Sequence, residues 1–515
     1  MRPTTNPARP LTGLAALLGI ERSDWSDIWA DVVATGITHD SRAVLPGDLY
    51  AALPGARAHG AQFSAQAAEA GATAILTDPD GYDEAVATGL PVLAVANVRA
   101  HLGAAAAWVY GEPARDLLLI GVTGTSGKTT TVFLLESGLR AAGIETGLVG
   151  GVEIRVGDSR VQSALTTPEA TDLHALFATM RERSVGAAAM EVSSHALAQG
   201  RVGGAFYDVA VFTNLSQDHL DFHPTMEDYF AAKAKLFTPE YSRVGVVNLD
   251  DHYGRVLVDS APVPITTFSP TGDPAADWRA EDVRIGADGS VFRIVGPGGI
   301  EADAAVQLAG PFNVANALAA IVALVEAGIG LPAAVRGVGS LPGVPGRLER
   351  VDEGQEFVAL VDYSHKPGAV EAVLTALRRV TEGDLVVVLG CGGDRDRGKR
   401  PLMGEAAARL ADAAYFTNDN PRSEDPLAIL AAMVEGGLKV PAAQRAHIVV
   451  EPDRAAAIEL AIGRARRGDV LVVAGKGHEQ GQYAAGEMHP FDDREVVREA
   501  LRRRAEGTRG DGTQA

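Results

Sequence analysis

Gly121-Val122-Thr123-Gly124-Thr125-Ser126-Gly127-Lys128-Thr129-Thr130 lies between an apolar run, Leu117–Val122, and a helical pattern. A buried strand, a glycine-rich turn and a helix in that order let backbone NH groups and the helix N-terminus converge on phosphate. Lys128 then reaches the terminal phosphates and the Thr129 hydroxyl faces Mg²⁺. The strict phosphate-loop spacing wants glycine at Val122, so the stretch is a shorter variant. A plain glycine-rich turn is the alternative, and Lys-Thr placed directly after a strand argues against it.

Outward from this stretch, buried-strand patterns alternate with helical ones, the mark of a parallel α/β sheet. Strands are expected near Ala187–Val192, Val209–Thr213 and Gly245–Asn248, a more strand- and turn-like region over 260–308, and a helix over Asn313–Ala327. Upstream, a turn-rich segment His39–Gly60, a helix Ala65–Ala70 and strands near Ala74–Thr77 and Val92–Val95 outline a small α/β domain, 1–112. It closes with a helix Val98–Tyr110 and the break Gly111-Glu112-Pro113. Downstream, Gly343-Val344-Pro345-Gly346 suggests a hinge that ends a central domain, 113–344. A third α/β domain, 345–502, has strands near Val358–Asp362, Leu385–Leu389, Ala414–Thr417 and Val470–Ala474. Residues 503–515 read as a disordered tail. The apolar stretch Leu11–Ile20 behind Arg2 and Arg9 mimics a signal peptide but is read as an amphipathic first helix.

The net charge of −20 argues against binding nucleic acid through a general positive field. Anionic substrates must then be held by local devices. Cys391 is the single cysteine, so there is no internal disulfide and the cytoplasm is the simplest compartment. No apolar run is long enough to span a bilayer. Only seven of the 46 basic residues are lysine. Each lysine is therefore a candidate for chemistry that arginine cannot do, such as reacting as a neutral amine.

Nearly every unusual polar cluster follows a strand, where open α/β sheets bind ligands. Glu191-Val192-Ser193-Ser194-His195 places a carboxylate where it can hold a hard cation. Thr213-Asn214-Leu215-Ser216-Gln217-Asp218-His219-Leu220-Asp221-Phe222-His223 suits a metal or phosphate site, and the many oxygen donors favour Mg²⁺ over zinc. Met226–Phe237 reads as a helix in which Met226, Phe230, Lys233 and Phe237 share a stripe, so Lys233 is buried and Lys235 exposed. Burial lowers a lysine pKa and exposes a nucleophilic amine, unless the stem snorkels outward. Gly390–Arg400 carries four glycines and four cations against two acids and reads as a local anion site.

Together with Asn313/Asn316, Gly346-Arg347, Asp362–His365, Asp419-Asn420-Pro421-Arg422 and Gly475-Lys476-Gly477-His478-Glu479, these motifs resemble the Mur ligase family over about residues 11–480. The resemblance implies three α/β domains: a small N-terminal domain for a UDP end, a central P-loop ATPase-type domain with a parallel sheet, and a C-terminal Rossmann-like domain. It implies ATP-dependent amide formation through an acyl phosphate, with ATP and Mg²⁺. The substrates implied are UDP-N-acetylmuramoyl-L-alanyl-D-glutamate and 2,6-diaminopimelate; apart from the resemblance, charge and hydropathy lead us to expect no nucleic-acid or membrane partner, and a monomer is expected.

Carried over by position, Gly124, Thr125, Ser126, Gly127, Lys128, Thr129 and Thr130 hold ATP phosphates. Thr129, Glu191 and His219 surround magnesium, and Asn316, Arg347 and Asp362 touch adenosine. Lys233 matches a lysine carried as a carbamate (N6-carboxylysine), and Lys128, Lys233, His219 and Glu191 form the catalytic set. Thr166, Thr167, Ser193, Gln199 and Arg201 match contacts to the muramoyl-dipeptide. His39, Ser41 and the Ala56–Ala58 turn match the UDP site, with departures at His39 and at Ala56-Arg57-Ala58. Arg395, Asp419, Asn420, Pro421, Arg422, Gly475 and Glu479 match the amino-acid site. Two rivals remain. A folylpolyglutamate synthetase would lack a domain like 1–112. A guanine-nucleotide switch would need an Asn-Lys-x-Asp motif, and the chain has no Asn-Lys dipeptide.

Overall fold

The computed structural model describes residues 1–21, 29, 31–55, 57–286 and 289–511. It separates into two units. One comprises Met1–Glu281, Arg293–Ala304 and Ala315–Val338; the other comprises Asp282–Phe292, Ala305–Val314 and Gly339–Ala515.

In the first unit, Gly36–Thr38 (β1), Asp48–Ala51 (β2), Ala74–Thr77 (β3) and Val92–Ala94 (β4) form a parallel sheet in sequential order. Strand β2 lies inside the segment read as turns. Its four residues are all buried, so it shows no alternation, and it is too short for periodicity to separate it from the adjoining Pro46-Gly47 turn. The first helix stops at Leu17 rather than Ile20, and Gly19 at φ 72° makes the left-handed exit.

The central sheet begins with Leu118–Thr123 (β5), followed by the helix Lys128–Ala141 (α1). Then come Thr146–Val149 (β6), Glu153–Val156 (β7), Ser159–Gln162 (β8), Ala187–Glu191 (β9) and Tyr207–Phe212 (β10). The helix Met226–Ala234 (α2) precedes Ser242–Asn248 (β11) and Ile265–Ser269 (β12). Trp278–Gly286 (β13), Gly289–Gly296 (β14) and Ile300–Val306 (β15) complete the order β8-β7-β6-β9-β5-β10-β11-β12-β13-β14-β15. Strands β9, β5 and β10 are parallel neighbours, so their carboxyl ends bring Glu191, the Gly124–Thr130 turn and Thr213 to one edge. Unbroken apolar runs such as Leu119–Val122 and Val209–Phe212 are what a sheet covered on both faces requires. Gly121 is needed in β5 because a Cβ there would stand 2.8 Å from the Tyr207 ring.

In the second unit, Glu349–Arg350 (β16), Val358–Asp362 (β17), Leu385–Leu389 (β18), Ala413–Phe416 (β19), His447–Val450 (β20) and Val470–Ala474 (β21) order as β16-β17-β21-β18-β19-β20. All pairs are parallel except β16 with β17. The helix Arg454–Arg464 (α3) links β20 to β21, and a hairpin, Gly481–Ala484 (β22) and Glu487–Pro490 (β23), precedes the last helix, Asp493–Asp511 (α4). Helix α4 runs past residue 503, where the sequence reading starts a disordered tail. Val497, Ala500 and Leu501 anchor α4 in the core, and the helix continues from that anchor. Residues 512–515 lie outside the described residues.

Two buried histidines set an acid limit on stability. His174 donates Nε2–H to Gly203 O at 2.9 Å, and burial pushes its pKa down to about 4. Burial likewise pushes His365 to about 4, with Nδ1–H on Tyr363 O at 2.8 Å. Both folded-state values lie below the unfolded one, so the unfolded chain binds more protons as pH falls from about 6.5 to 4. Stability should drop through that window by up to roughly 3 kcal/mol per histidine. Urea unfolding at stepped pH checks this; His174→Gln, which keeps a donor, should show a shallower loss, and an unchanged slope would contradict the assignment.

Candidate active site

Gly124 (φ 145°) and Gly127 (φ 86°) carry the backbone into the left-handed region, which opens the turn ahead of α1. A Cβ on Gly127 would stand 2.4 Å from Asn316 Oδ1, so Asn316 packs directly against the turn. Lys128 Nζ donates to Gly124 O at 2.9 Å and Thr125 O at 3.1 Å. Lys233 is 1 % exposed, and its Nζ donates to the same Gly124 O at 2.8 Å and lies 4.7 Å over the Tyr229 ring. The helical stripe therefore buries Lys233 as expected, while Lys235 is exposed. The α-helix stops at Ala234, with Lys235–Phe237 in a 3₁₀ turn.

The same spacing also carries Tyr229, one turn before Lys233 and absent from the expected stripe. Thr125 Oγ1 accepts from Ser216 N at 3.0 Å and donates to Ser216 O at 3.2 Å, so the Tyr229 hydroxyl donates to it at 3.1 Å. Burial pushes the Tyr229 phenol well above its usual range, which keeps that proton in place. Asn214 was also missed as a loop partner. It accepts from Ser126 N at 3.0 Å and donates to Ser126 O at 3.1 Å, while Thr213 Oγ1 donates to Ser126 O at 2.7 Å. Thr-Asn at the end of the strand beside a phosphate loop was the available signal.

Thr129 Oγ1 donates to Glu191 Oε1 at 3.0 Å, and Gly151 N donates to the same oxygen at 3.0 Å. His219 sits at φ 54° with its Nε2 3.1 Å from Asp218 Oδ2, and its ring is edge-on to His195 at 4.7 Å. Burial lowers the pKa of both His195 and His223. Among the described residues no three His, Cys, Asp or Glu side chains group as a metal cage. The Thr129–Glu191 oxygen pair instead suits a hard cation that takes its other ligands from phosphate and water.

Beside Glu191, Thr167 Oγ1 donates to Glu191 O at 3.0 Å and accepts from Ser193 N at 3.1 Å. Arg201 pairs with Glu169 at 2.8 Å and donates to Thr167 O at 3.4 Å, so Thr167, Ser193 and Arg201 share one cluster. Thr166 stands over Gly151, whose Cβ would lie 3.2 Å from its hydroxyl. Gln199 Oε1 is buried with no hydrogen-bond partner among the described residues. In the N-terminal sheet region His39 Nδ1 meets Thr171 Oγ1 at 3.0 Å, and Ser41 Oγ donates to Gln66 Oε1 at 3.1 Å. The Ala56–Ala58 turn is closed by Gly55 N on Ala58 O at 3.2 Å, with Ala56 itself outside the described residues.

In the second unit Asp362 accepts Leu348 N at 2.9 Å and Ser364 N at 2.8 Å, and the Arg347 guanidinium lies 4.4 Å over Tyr363. Asn420 Nδ2 donates to Glu479 Oε2 at 3.0 Å. Lys476 Nζ, fully buried, donates to Asn420 Oδ1 and Glu479 Oε2, both at 3.1 Å. A Cβ on Gly475 would meet Asp419 Oδ2 at 2.6 Å. Arg422, at φ 54°, donates Nη1–H to Gly393 O at 2.7 Å, and Arg395 donates to Asp394 O at 3.1 Å. The anion-site reading of Gly390–Arg400 is corrected in part. Arg400 is buried against Glu424 at 2.9 Å and Arg397 lies 3.3 Å from the same carboxylate, so one distant acid engages two of the four cations.

Models of the Mur ligase middle domain, of the Mur ligase glutamate ligase domain and of the Mur ligase family catalytic domain match residues 122–324, 346–477 and 33–110 respectively. The chain belongs to the Mur ligase family and has its three-domain α/β fold built on parallel sheets. It is 61% identical over 500 residues to the UDP-N-acetylmuramoyl-L-alanyl-D-glutamate–2,6-diaminopimelate ligase of Streptomyces avermitilis, covering 97% of this chain and 98% of that one. A solved structure of a ligase of the same name matches with a TM-score of 0.69 at 33% identity, over 95% of this chain and 98% of that one. The folylpolyglutamate synthase of Mycobacterium tuberculosis, solved with ADP and AMPPCP, shares the fold with a TM-score of 0.58 at 20% identity. It covers 73% of this chain and 92% of that one, whereas the diaminopimelate ligases match nearly the whole length.

Proposed function

We propose that this chain is the ATP-dependent ligase that joins 2,6-diaminopimelate to UDP-N-acetylmuramoyl-L-alanyl-D-glutamate in peptidoglycan precursor synthesis. The near-full-length likeness to a ligase of that name carries the reading. Residues 1–112 take the UDP end through His39, Ser41 and the 56–58 turn, 113–344 bind ATP, and 345–502 bind the amino acid. The cytoplasm, which supplies ATP, is the compartment this reaction needs, and no described helix is long and apolar enough to cross a membrane.

A carboxylate is a poor electrophile, so the D-glutamate γ-carboxylate attacks the terminal phosphorus of ATP and ADP leaves. The diaminopimelate amine then adds to the acyl carbon, loses a proton, and expels phosphate. Phosphoryl transfer asks the protein for in-line placement and charge neutralisation rather than a nucleophile. The turn Gly124–Thr130 offers its NH groups, and Lys128, resting on two loop carbonyls, stands where it can turn onto the terminal phosphates. Thr129, Glu191 and His219 would hold Mg²⁺, which supplies charge neutralisation at the phosphates. Lys233 as a carbamate adds a negative group beside them. Thr166, Thr167, Ser193, Gln199 and Arg201 orient the muramoyl-dipeptide, and the orphaned Gln199 Oε1 suits a donor from substrate. Asn316, Arg347 and Asp362 serve the adenosine.

The test is phosphate release from ATP. It should require both the UDP-muramoyl-dipeptide and an amino acid, with meso-diaminopimelate, LL-diaminopimelate and L-lysine compared. Release with neither substrate would point to a switch or a simple ATPase. Amino-acid choice should reside in Arg395 and Asp419–Arg422, because a distal carboxylate needs a guanidinium fork. Arg422→Ala should raise the KM for diaminopimelate about 10- to 100-fold, the scale of a lost charge-assisted hydrogen bond, and that for ATP little. Equal effects on both would assign Arg422 to holding Gly393.

A further inference from the structure

Arg454 is among the largest fully buried side chains of the protein, and nothing in the chemistry above uses it. It opens α3, with Nε and Nη2 each 2.7 Å from the two carboxylate oxygens of Asp493, the first residue of α4. Both side chains are wholly shielded from solvent. The fork has further donors. Nη2 also donates to Ala474 O at 3.0 Å and Nη1 to Asn418 O at 3.3 Å.

Those two carbonyls are not arbitrary. Ala474 ends β21 and leads into Gly475–Glu479; Asn418 follows β19 and leads into Asp419–Arg422. In the sheet β18 lies between β21 and β19, so one guanidinium bridges the ends of two strands that do not touch. Two residues further along each loop, Lys476 and Asn420 bond to each other and to Glu479. The two loops are thus fastened at their roots by Arg454 and again two residues on by Lys476.

Stability alone explains this arrangement poorly. A buried ion pair is often no better than apolar groups of the same volume. A cation in the first turn of a helix also faces the positive end of the macrodipole. Burial works against the charge, and Asp493, with Asp419 and Glu479 beyond it, holds the Arg454 pKa above its ordinary value. A fixed fork that spans two loop roots is what a neutral or apolar residue cannot supply.

We propose that Arg454, anchored by Asp493, is a positioning residue for amino-acid selection: it sets the spacing between the Asp419–Arg422 and Gly475–Glu479 loops. The inference rests on the amino-acid site proposed above. Telling diaminopimelate from L-lysine means reading a carboxylate beside an ammonium at the distal end. That reading depends on loop spacing to within about 1 Å, since misplacements of that size cost up to ~10²-fold in rate.

The experiment compares wild type with Arg454→Lys and with the double variant Arg454→Met/Asp493→Leu, which removes both charges at once. The measurements are KM for diaminopimelate, KM for ATP, the kcat/KM preference for diaminopimelate over L-lysine, and the melting temperature. Lysine keeps the charge but not the fork, so Arg454→Lys should raise KM for diaminopimelate and lower the preference, each about tenfold, on the scale of one lost hydrogen bond. KM for ATP should stay within about twofold, inside the effect of a single neutral hydrogen bond. The folded double variant should lose more of the preference while melting close to wild type. Unchanged KM and preference in Arg454→Lys, or KM for ATP rising in step with that for diaminopimelate, overturns the proposal whether or not the double variant folds. A wild-type enzyme with no preference for diaminopimelate overturns the amino-acid site itself, a separate result.

Discussion

Lys128→Ala is expected to abolish ligation, lowering kcat by at least about 10²–10³-fold, the usual cost of removing one preorganised group that meets transition-state charge. Lys128 lies at the start of α1, and its ammonium rests on Gly124 O and Thr125 O, two carbonyls of the turn proposed to hold phosphate. The proposed role has that ammonium turn from these carbonyls onto the transferring group. The proposed UDP contacts, His39 and Ser41, follow β1 of a different sheet, so binding of UDP-N-acetylmuramoyl-L-alanyl-D-glutamate should be largely intact by calorimetry. Single-turnover formation of the acyl phosphate is the decisive measurement. Full activity in this variant would remove the phosphate-loop assignment.

The second large effect concerns Lys233. Lys233→Ala should be nearly inactive, by about 10²-fold or more on the same scale. The residue is 1 % exposed, so it is held by the fold rather than by water, and its ammonium shares the Gly124 carbonyl with Lys128. Two ammonium groups on one carbonyl repel each other, and converting one to a carbamate replaces that repulsion with attraction. The amine that adds CO₂ must be neutral, which a guanidinium at ordinary pH never offers. Lys233→Arg should therefore fail as completely as alanine, while short-chain carboxylates partly rescue Lys233→Ala by returning the missing negative charge. Exposed Lys235→Ala should stay active. Substantial activity in Lys233→Arg would show that a plain cation suffices and would end the carbamate reading.

The burial of Lys233 was legible in the sequence because the spacing Met226, Phe230, Lys233 is a property of one helix. The same holds for β17, β18 and β21, whose continuous apolar runs matched their limits. The glycine turn was equally local: the positive φ of Gly124 and Gly127 follows from where the chain must bend.

What the tertiary structure decided are the partners contributed by other elements. Glu191 meets Thr129 because β9 and β5 are neighbours, although 62 positions separate the two residues. Tyr229 meets Thr125 across 104 positions, and Arg454 meets Asp493 across 39. The anion-site reading of Gly390–Arg400 fell short for the same reason, since Glu424 stands outside the charge cluster that suggested it. Strand β2 was lost because its neighbours bury all four of its residues, leaving no alternation to read. Periodicity reports which face of an element is buried, and a motif reports which backbone turn is possible. Neither states which strand lies beside which. That order follows from right-handed crossovers and from the packing of the whole sheet, and it alone decided which carboxylate, hydroxyl and guanidinium came within hydrogen-bonding distance.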